Sequence, residues 1–130
     1  MVKEAIVCVD DEAVILMTLK MELIQHFKER FEYGIALNAI DAEILIDELT
    51  SDGIKVILII SDWLMPGVKG DEFIKKMYLK YPDIKCILLT GQANKEVIEQ
   101  VKREANLVDC FYKPWDKQRL FECIESVVPA

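Results

Sequence analysis

Four strand-like runs in this chain each give way to a side chain able to do chemistry. Asp10 and Asp11 follow Ala5–Val9, Asp62 follows Val56–Ile60 and Ser61, Thr90 follows Lys85–Leu89, and Lys113 follows Leu107–Tyr112. Three carboxylates brought together repel, so one takes up a proton unless a cation shares the site. All-oxygen donors from a few acids, with room for water, suit Mg²⁺ or Mn²⁺ better than zinc. Thr90 adds a hydroxyl donor, and Lys113 adds a fixed positive charge on the other flank. Together these groups describe a cradle for a dianionic phosphoryl group. A carboxylate can attack phosphorus to give an acyl phosphate, and the protein's part in such a transfer is mainly positioning and charge neutralisation. Asp62, with acids beside it on the most apolar run, is the nucleophile candidate. Gly91 leaves space for the incoming group.

Taken singly, each residue has a plainer reading. Asp10-Asp11 before a helix is an N-cap signal, Asp62 and Thr90-Gly91 are ordinary turn residues, and a lone lysine is usually solvated. Their joint appearance at four strand ends favours function.

The elements that must position them follow from the apolar pattern. Val56–Ile60 is continuous, short and rich in β-branched residues, as expected of a parallel strand covered on both faces. Pro66-Gly67 then forces a turn, and Gly70 precedes a new helix. Ala5–Val9, Phe31–Leu37, Lys85–Leu89 and Leu107–Tyr112 supply four more strands. Helices are expected after each strand. The first would carry Val14, Ile15, Met17, Leu19, Leu23, Ile24 and Phe27 as its apolar positions. The others are Ala39–Leu49 (with Ile40, Ile44, Leu45 and Leu49 on one side), Glu72–Tyr81, Lys95–Glu104 (the weakest amphipathic pattern) and Lys117–Val127. Alternation of buried strands with helices implies right-handed crossovers and a doubly wound, flavodoxin-like parallel sheet of five strands with five helices. In the order 2-1-3-4-5, the first and third strands are neighbours and the crevice opens between their carboxyl ends, where the three aspartates stand.

The motifs Val9-Asp10-Asp11-Glu12, Ser61-Asp62-Trp63-Leu64-Met65-Pro66-Gly67 with Gly70, Leu89-Thr90-Gly91 and Tyr112-Lys113-Pro114-Trp115 span nearly the whole chain. Together they resemble the signature set of the response-regulator receiver domains of two-component, histidine–aspartate phosphorelay signalling, whose fold is of the chemotaxis type. The resemblance implies one receiver domain over residues 1–130, with Asp62 accepting phosphate from a histidine kinase or phosphotransfer protein. It implies that Asp11 and Asp62 bind Mg²⁺ (or Mn²⁺) directly, with Asp10 acting through water and the Leu64 carbonyl as a further ligand. Thr90 would move towards the phosphoryl oxygens, Lys113 would pair with them, and the Lys113-Pro114 bond would be cis. Output would pass through the face of the fourth helix, fifth strand and fifth helix to an effector of unknown type, with room for a phosphorylation-dependent homodimer. The family often has an aromatic residue three positions before the lysine, where this chain has Cys110. Leu64 and Gln92 hold places that modulate phosphoryl lifetime, and an apolar Leu64 points to a long-lived phosphoryl group.

Bulk properties agree with such a switch. The chain has 130 residues, 52% hydrophobic content and a net charge of −7. That balance argues against disorder and against a direct nucleic-acid contact. No apolar run approaches the ~20 residues needed to span a bilayer, and the N-terminus lacks a secretory pattern, so a cytoplasmic location away from membranes is expected. Cys8, Cys86, Cys110 and Cys123 lack metal spacing and read as reduced core packing. His26 reads as a helix-end residue, and Met17, Met21 and Met77 as core or helix-surface packing. Trp63 reads equally as a gate or as packing, and Trp115 equally as a binding anchor or a buried cap.

Three rivals remain: a pseudo-receiver acting only as an interaction module, a Mg²⁺-dependent aspartyl-phosphate phosphatase, and a flavin-binding protein. The second usually needs another acid where Leu64 stands, and Asp10-Asp11 would repel the phosphate of the third. A switch that catalyses only its own phosphotransfer, with no separate substrate, fits best.

Overall fold

The structure, a computed structural model, describes residues 2–65, 67–91 and 95–128. Strands β1 (Glu4–Val9), β2 (Glu32–Ala36), β3 (Lys55–Asp62), β4 (Lys85–Thr90) and β5 (Leu107–Tyr112) alternate with helices α1 (Ala13–Phe27), α2 (Ala39–Ser51), α3 (Gly70–Lys80), α4 (Lys95–Glu104) and α5 (Lys117–Val127). The strands form one parallel sheet, as the alternation of apolar runs predicts, in the order β2-β1-β3-β4-β5 expected of the doubly wound, flavodoxin-like fold. Among the described residues, no helix is long and apolar enough to cross a membrane.

Two apolar layers cover the sheet. Val7, Ile59 and Leu88 face α2, α3 and α4 through Ile46, Phe73, Ile74 and Val101. Ile6, Cys8, Leu58, Ile60 and Ile87 face α1 and α5 through Leu19, Leu23, Leu120 and Ile124. A register shift pairs Ala5 with Val56 but Ile6 with Leu58, so Ile57 is an extra residue in β3. Side chains alternate with a period of two along a strand, and one inserted residue reverses every later side chain. The bulge therefore brings Asp62 into phase with Leu58 and Ile60, on the face that Ile6 and Cys8 share at the approach to Asp10.

Two helices turn differently from the sequence expectation. In α1, Leu16, Leu19, Leu23 and Phe27 are buried, while Val14 is 77% exposed and Met17 and Ile24 also face solvent. In α2, Ile40 is 67% exposed and Ile44 is exposed as well; the buried line is Ala39, Ala42 and Ile46. The reason is close approach. Gly34 lies so near α2 that a Cβ there would stand 2.9 Å from Leu45 Cδ2, and small residues let the helix settle on the sheet. α4 packs through Ile98 and Val101, with its charged residues outward.

Helix starts follow their capping residues. Asn38 accepts from the Asp41 amide at 2.8 Å, and Asp116 accepts from the amides of Gln118 and Arg119, each satisfying amides that have no partner inside the helix. Cys8 and Cys86 are buried in β1 and β4, where desolvation pushes each thiol up to about 12. Cys110 and Cys123 are half-buried.

Candidate functional site

The carboxyl ends of β1, β3, β4 and β5 converge on one side of the sheet. Asp62 is the last residue of β3, Asp10 directly follows β1, and both are almost wholly buried, as is Thr90 at the end of β4. Asp11 is exposed at the rim. One carboxylate oxygen from each of Asp10, Asp11 and Asp62 lies within 4.8 Å of the other two.

Lys113 is the cation that Asp10 and Asp62 share. Its Nζ donates to Asp10 Oδ2 at 2.7 Å and stands 3.3 Å from Asp62 Oδ1. Its backbone N–H donates to the Thr90 carbonyl at 2.7 Å, which ties the end of β5 to the end of β4. The Lys113-Pro114 bond is cis. Asp10 also caps: its Oδ1 accepts from the Glu12 amide at 2.9 Å at the entry to α1. The capping and site readings of Asp10 are therefore both true, one oxygen serving each.

The charges do not balance. Among the described residues, three carboxylates gather beside one ammonium, which pairs with the two that are buried, Asp10 and Asp62. Burial and the negative charge of Asp10 raise Asp62 above the ordinary Asp pKa, although Lys113 pulls the other way. Burial works against the charge of Lys113, but the hydrogen bond and attraction of Asp10, helped by Asp62, raise its pKa overall. A divalent cation would remove the remaining repulsion, and the hard oxygen donors fit Mg²⁺ or Mn²⁺.

The space around the acids is shaped by glycines. At Gly91 an added Cβ would meet no heavy atom of the described residues within 4 Å, leaving room beside Thr90. At Gly70 an added Cβ would stand 2.2 Å from the Asp62 carbonyl oxygen, and the Gly70 amide donates to the Trp63 carbonyl at 2.8 Å. The sequence marks Gly70 as the start of a helix but gives no sign that it packs against the nucleophile candidate. Backbone at 2.2 Å cannot yield as a side-chain tip can, so Gly70→Ala is expected to displace Asp62. The cost should be about 2 kcal/mol or more of stability, as for other overpacked sites, read as a lower urea midpoint. An unchanged midpoint would contradict the close approach.

The other singled-out residues resolve as follows. Leu64, two positions beyond Asp62, has a largely exposed apolar side chain. Gln92 and Pro66 lie outside the described residues. Trp63 is buried in the core on the α3 side, so it packs. Trp115 is half-buried, and its Nε1 donates to Glu22 Oε1 at 2.9 Å, linking the start of α5 to α1; it is neither a free anchor nor a fully buried cap. His26 stacks on Phe121 with ring centroids 4.2 Å apart and stands 3.7 Å from Glu125, a packing role at the helix end.

A sequence model of the response regulator receiver domain matches residues 6–125. The chain is 30% identical, over 98% of its length, to the hydrogenase transcriptional regulatory protein HoxA of Bradyrhizobium diazoefficiens. It spans 24% or less of the HoxA regulators that it matches. It is 25% identical to sporulation initiation phosphotransferase F of Bacillus subtilis, over 99% of this chain and 97% of that protein. Among solved structures, the signal receiver domain of an HD domain-containing protein from Pseudomonas fluorescens matches with a TM-score of 0.82 and 26% identity, over 96% of this chain and 94% of that one.

Proposed function

This chain belongs to the response regulator receiver domain family, and from that premise we propose that Asp62 accepts a phosphoryl group from a histidine kinase or phosphotransfer protein. Receiver domains are signalling switches, and in this reading the chain catalyses only its own phosphorylation and dephosphorylation, in the cytoplasm. The observation that carries it is the cluster of Asp10, Asp11 and Asp62, two of which, Asp10 and Asp62, pair with the Lys113 ammonium.

The step follows from the groups present. An Asp62 carboxylate oxygen forms the new O–P bond as the P–N bond of a phosphohistidine breaks, and the electron pair leaves with the imidazole nitrogen. Lys113 neutralises charge on the phosphoryl oxygens while holding Asp10. Thr90 donates its hydroxyl to one of those oxygens. Asp11 and Asp62 would hold Mg²⁺ or Mn²⁺ directly, with Asp10 through water and the Leu64 carbonyl as a further ligand. When bound, the ion supplies neutralisation of phosphoryl charge. Phosphorylation adds about −1.5 to −2 charges, which bias Thr90 and Lys113 and, through the backbone bond between them, β5 and the α4-β5-α5 face. That face then meets the effector.

Metal binding supplies one test. Mg²⁺ at a concentration of about 100 times its Kd should stabilise the folded chain by about 2.7 kcal/mol, seen as a rise in melting temperature that Asp11→Ala largely removes. Beryllofluoride, a stand-in for the phosphoryl group, should bind wild type with Mg²⁺ and should not bind Asp62→Ala. Absence of both effects in wild type would leave only an interaction module.

A further inference from the structure

Lys113 has a long span to cover. In the sheet, β5 and β1 are separated by β4 and β3, a distance of about 14 Å at ordinary strand spacing, and a lysine has only a four-carbon stem. Yet Lys113 Nζ meets Asp10 Oδ2 at 2.7 Å and stands 3.3 Å from Asp62 Oδ1. The turn after β5 must therefore lean across the strand ends towards α1, and contacts must hold it there. On the β4 side the Lys113 amide holds it, donating to the Thr90 carbonyl at 2.7 Å. Pro114 brings no N–H. The second anchor is Trp115. Its half-buried ring packs against the apolar layer under α1 and α5, and its Nε1 donates to Glu22 Oε1 at 2.9 Å. An indole N–H only donates and an ionised carboxylate only accepts, so this bond is directional and charge-assisted.

These contacts close a ring. Asp10 takes Lys113 on Oδ2 and fixes the entry of α1 through Oδ1, which accepts from the Glu12 amide at 2.9 Å. Helix α1 carries that fixed point to Glu22, Glu22 takes the Trp115 indole, and Lys113 stands two residues before Trp115 in the chain. The ion pairs of Lys113 cannot hold the turn by themselves, because an incoming phosphoryl group must share the same ammonium. The bond from Trp115 to Glu22 takes no part in that exchange. We propose that Trp115 and Glu22 are positioning residues for phosphoryl acceptance, a role that rests on Asp62 being the phosphoacceptor: their bond holds the Lys113 turn against α1, so that the ammonium stays beside Asp10 and Asp62 while its partners change.

Three variants of the full chain test this. Trp115→Phe keeps an aromatic ring and removes the donor, Glu22→Leu removes the acceptor, and Glu22→Gln keeps an amide oxygen that still accepts. Circular dichroism melts should show all three folded at the assay temperature. The bond itself is read in metal-free protein from the indole N–H signals of the two tryptophans. The signal absent in Trp115→Phe should move in Glu22→Leu and stay near its place in Glu22→Gln. Phosphorylation by acetyl phosphate should slow by about tenfold in Trp115→Phe and in Glu22→Leu, short of the roughly 10²-fold that a displacement of about 1 Å at a reacting group can cost. The double variant should be no slower than either single one, as for two residues acting through one bond, and Glu22→Gln should retain most of the wild-type rate. Beryllofluoride affinity at saturating Mg²⁺ should fall in parallel. Mg²⁺ affinity should not fall, because an ammonium displaced from the acids repels the cation less. Loss of Mg²⁺ and beryllofluoride affinity together would mean a general loosening of the site and would overturn the positioning role. So would wild-type rates in both Trp115→Phe and Glu22→Leu, or an indole signal indifferent to Glu22→Leu. A wild type that neither gains a phosphoryl group nor binds beryllofluoride is a separate failure: it removes the phosphoacceptor reading, and with it the reaction for which Lys113 is positioned.

Discussion

Asp62→Asn is expected to abolish phosphoryl acceptance and, in metal-free protein, to raise the melting temperature. The two effects share one cause. Asp62 is buried beside Asp10, and its pKa is raised by desolvation and by that neighbouring charge. A group whose folded pKa lies above its unfolded value binds more protons in the native state. Its ionisation therefore costs stability as pH rises from about 4, the ordinary Asp range, through the folded pKa. An asparagine keeps the shape, carries no charge and can donate an N–H to Asp10. Relief of about 1 kcal/mol would move the midpoint of a chain of this size by about 4 °C. The check is calorimetry in chelator at pH 5 and pH 8, where the gain of the variant over wild type should be larger at pH 8. A variant less stable than wild type at pH 8 would mean that Lys113 already compensates both acids.

The opposite sign is expected at Lys113. Its ammonium is the positive partner that the structure gives Asp10 at 2.7 Å and Asp62 at 3.3 Å, and its side chain is largely buried. Lys113→Met fills similar space but leaves two buried carboxylates uncompensated. Breaking a buried pair in this way costs about 3 kcal/mol or more. The raised pKa of Lys113 means that its stabilising contribution is complete below its ordinary value and is lost only as pH rises through the folded one. In the variant, lowering the pH from 8 to 5 should recover part of the loss, because the crowded acids can then take up protons. Phosphorylation by acetyl phosphate should fall by about 10²-fold or more, the scale seen when one preorganised electrostatic partner of a transition state is removed. Urea midpoints at the two pH values and a phosphorylation time course measure both. A loss of stability equal at pH 5 and pH 8 would separate Lys113 from the acids.

The placement of the candidate residues at strand ends was largely legible in the sequence. Val56–Ile60 is too short for a buried helix and rich in β-branched residues, so the position of Asp62 at a strand end was readable, and the same logic located Asp10, Thr90 and Lys113. The parallel, doubly wound architecture followed from strict alternation. What could not be read depends on tertiary approach. The pairing of Lys113 with Asp10 joins residues 103 positions apart. The extra residue at Ile57 leaves no mark in an unbroken apolar run, yet it decides which face Asp62 shares. Gly70 looks like any glycine before a helix until the Asp62 carbonyl is found against it.

The helix faces were the clearest departure. In α2, the bulky Ile40 and Ile44 were expected inward, but the sheet admits Ala39 and Ala42 instead. α1 is so rich in apolar residues that its periodicity could not distinguish the core side from the stripe of Val14, Met17, Met21 and Ile24. The residues that obscured the phase are the ones left facing solvent.

The most direct measurement of the central claim is intact mass after incubation with acetyl phosphate and Mg²⁺, for wild type and Asp62→Ala. Wild type should gain the mass of one phosphoryl group, and the gain should vanish in Asp62→Ala and in wild type treated with chelator. An equal gain in Asp62→Ala would place the acceptor elsewhere, and no gain in wild type would contradict the phosphoacceptor reading altogether.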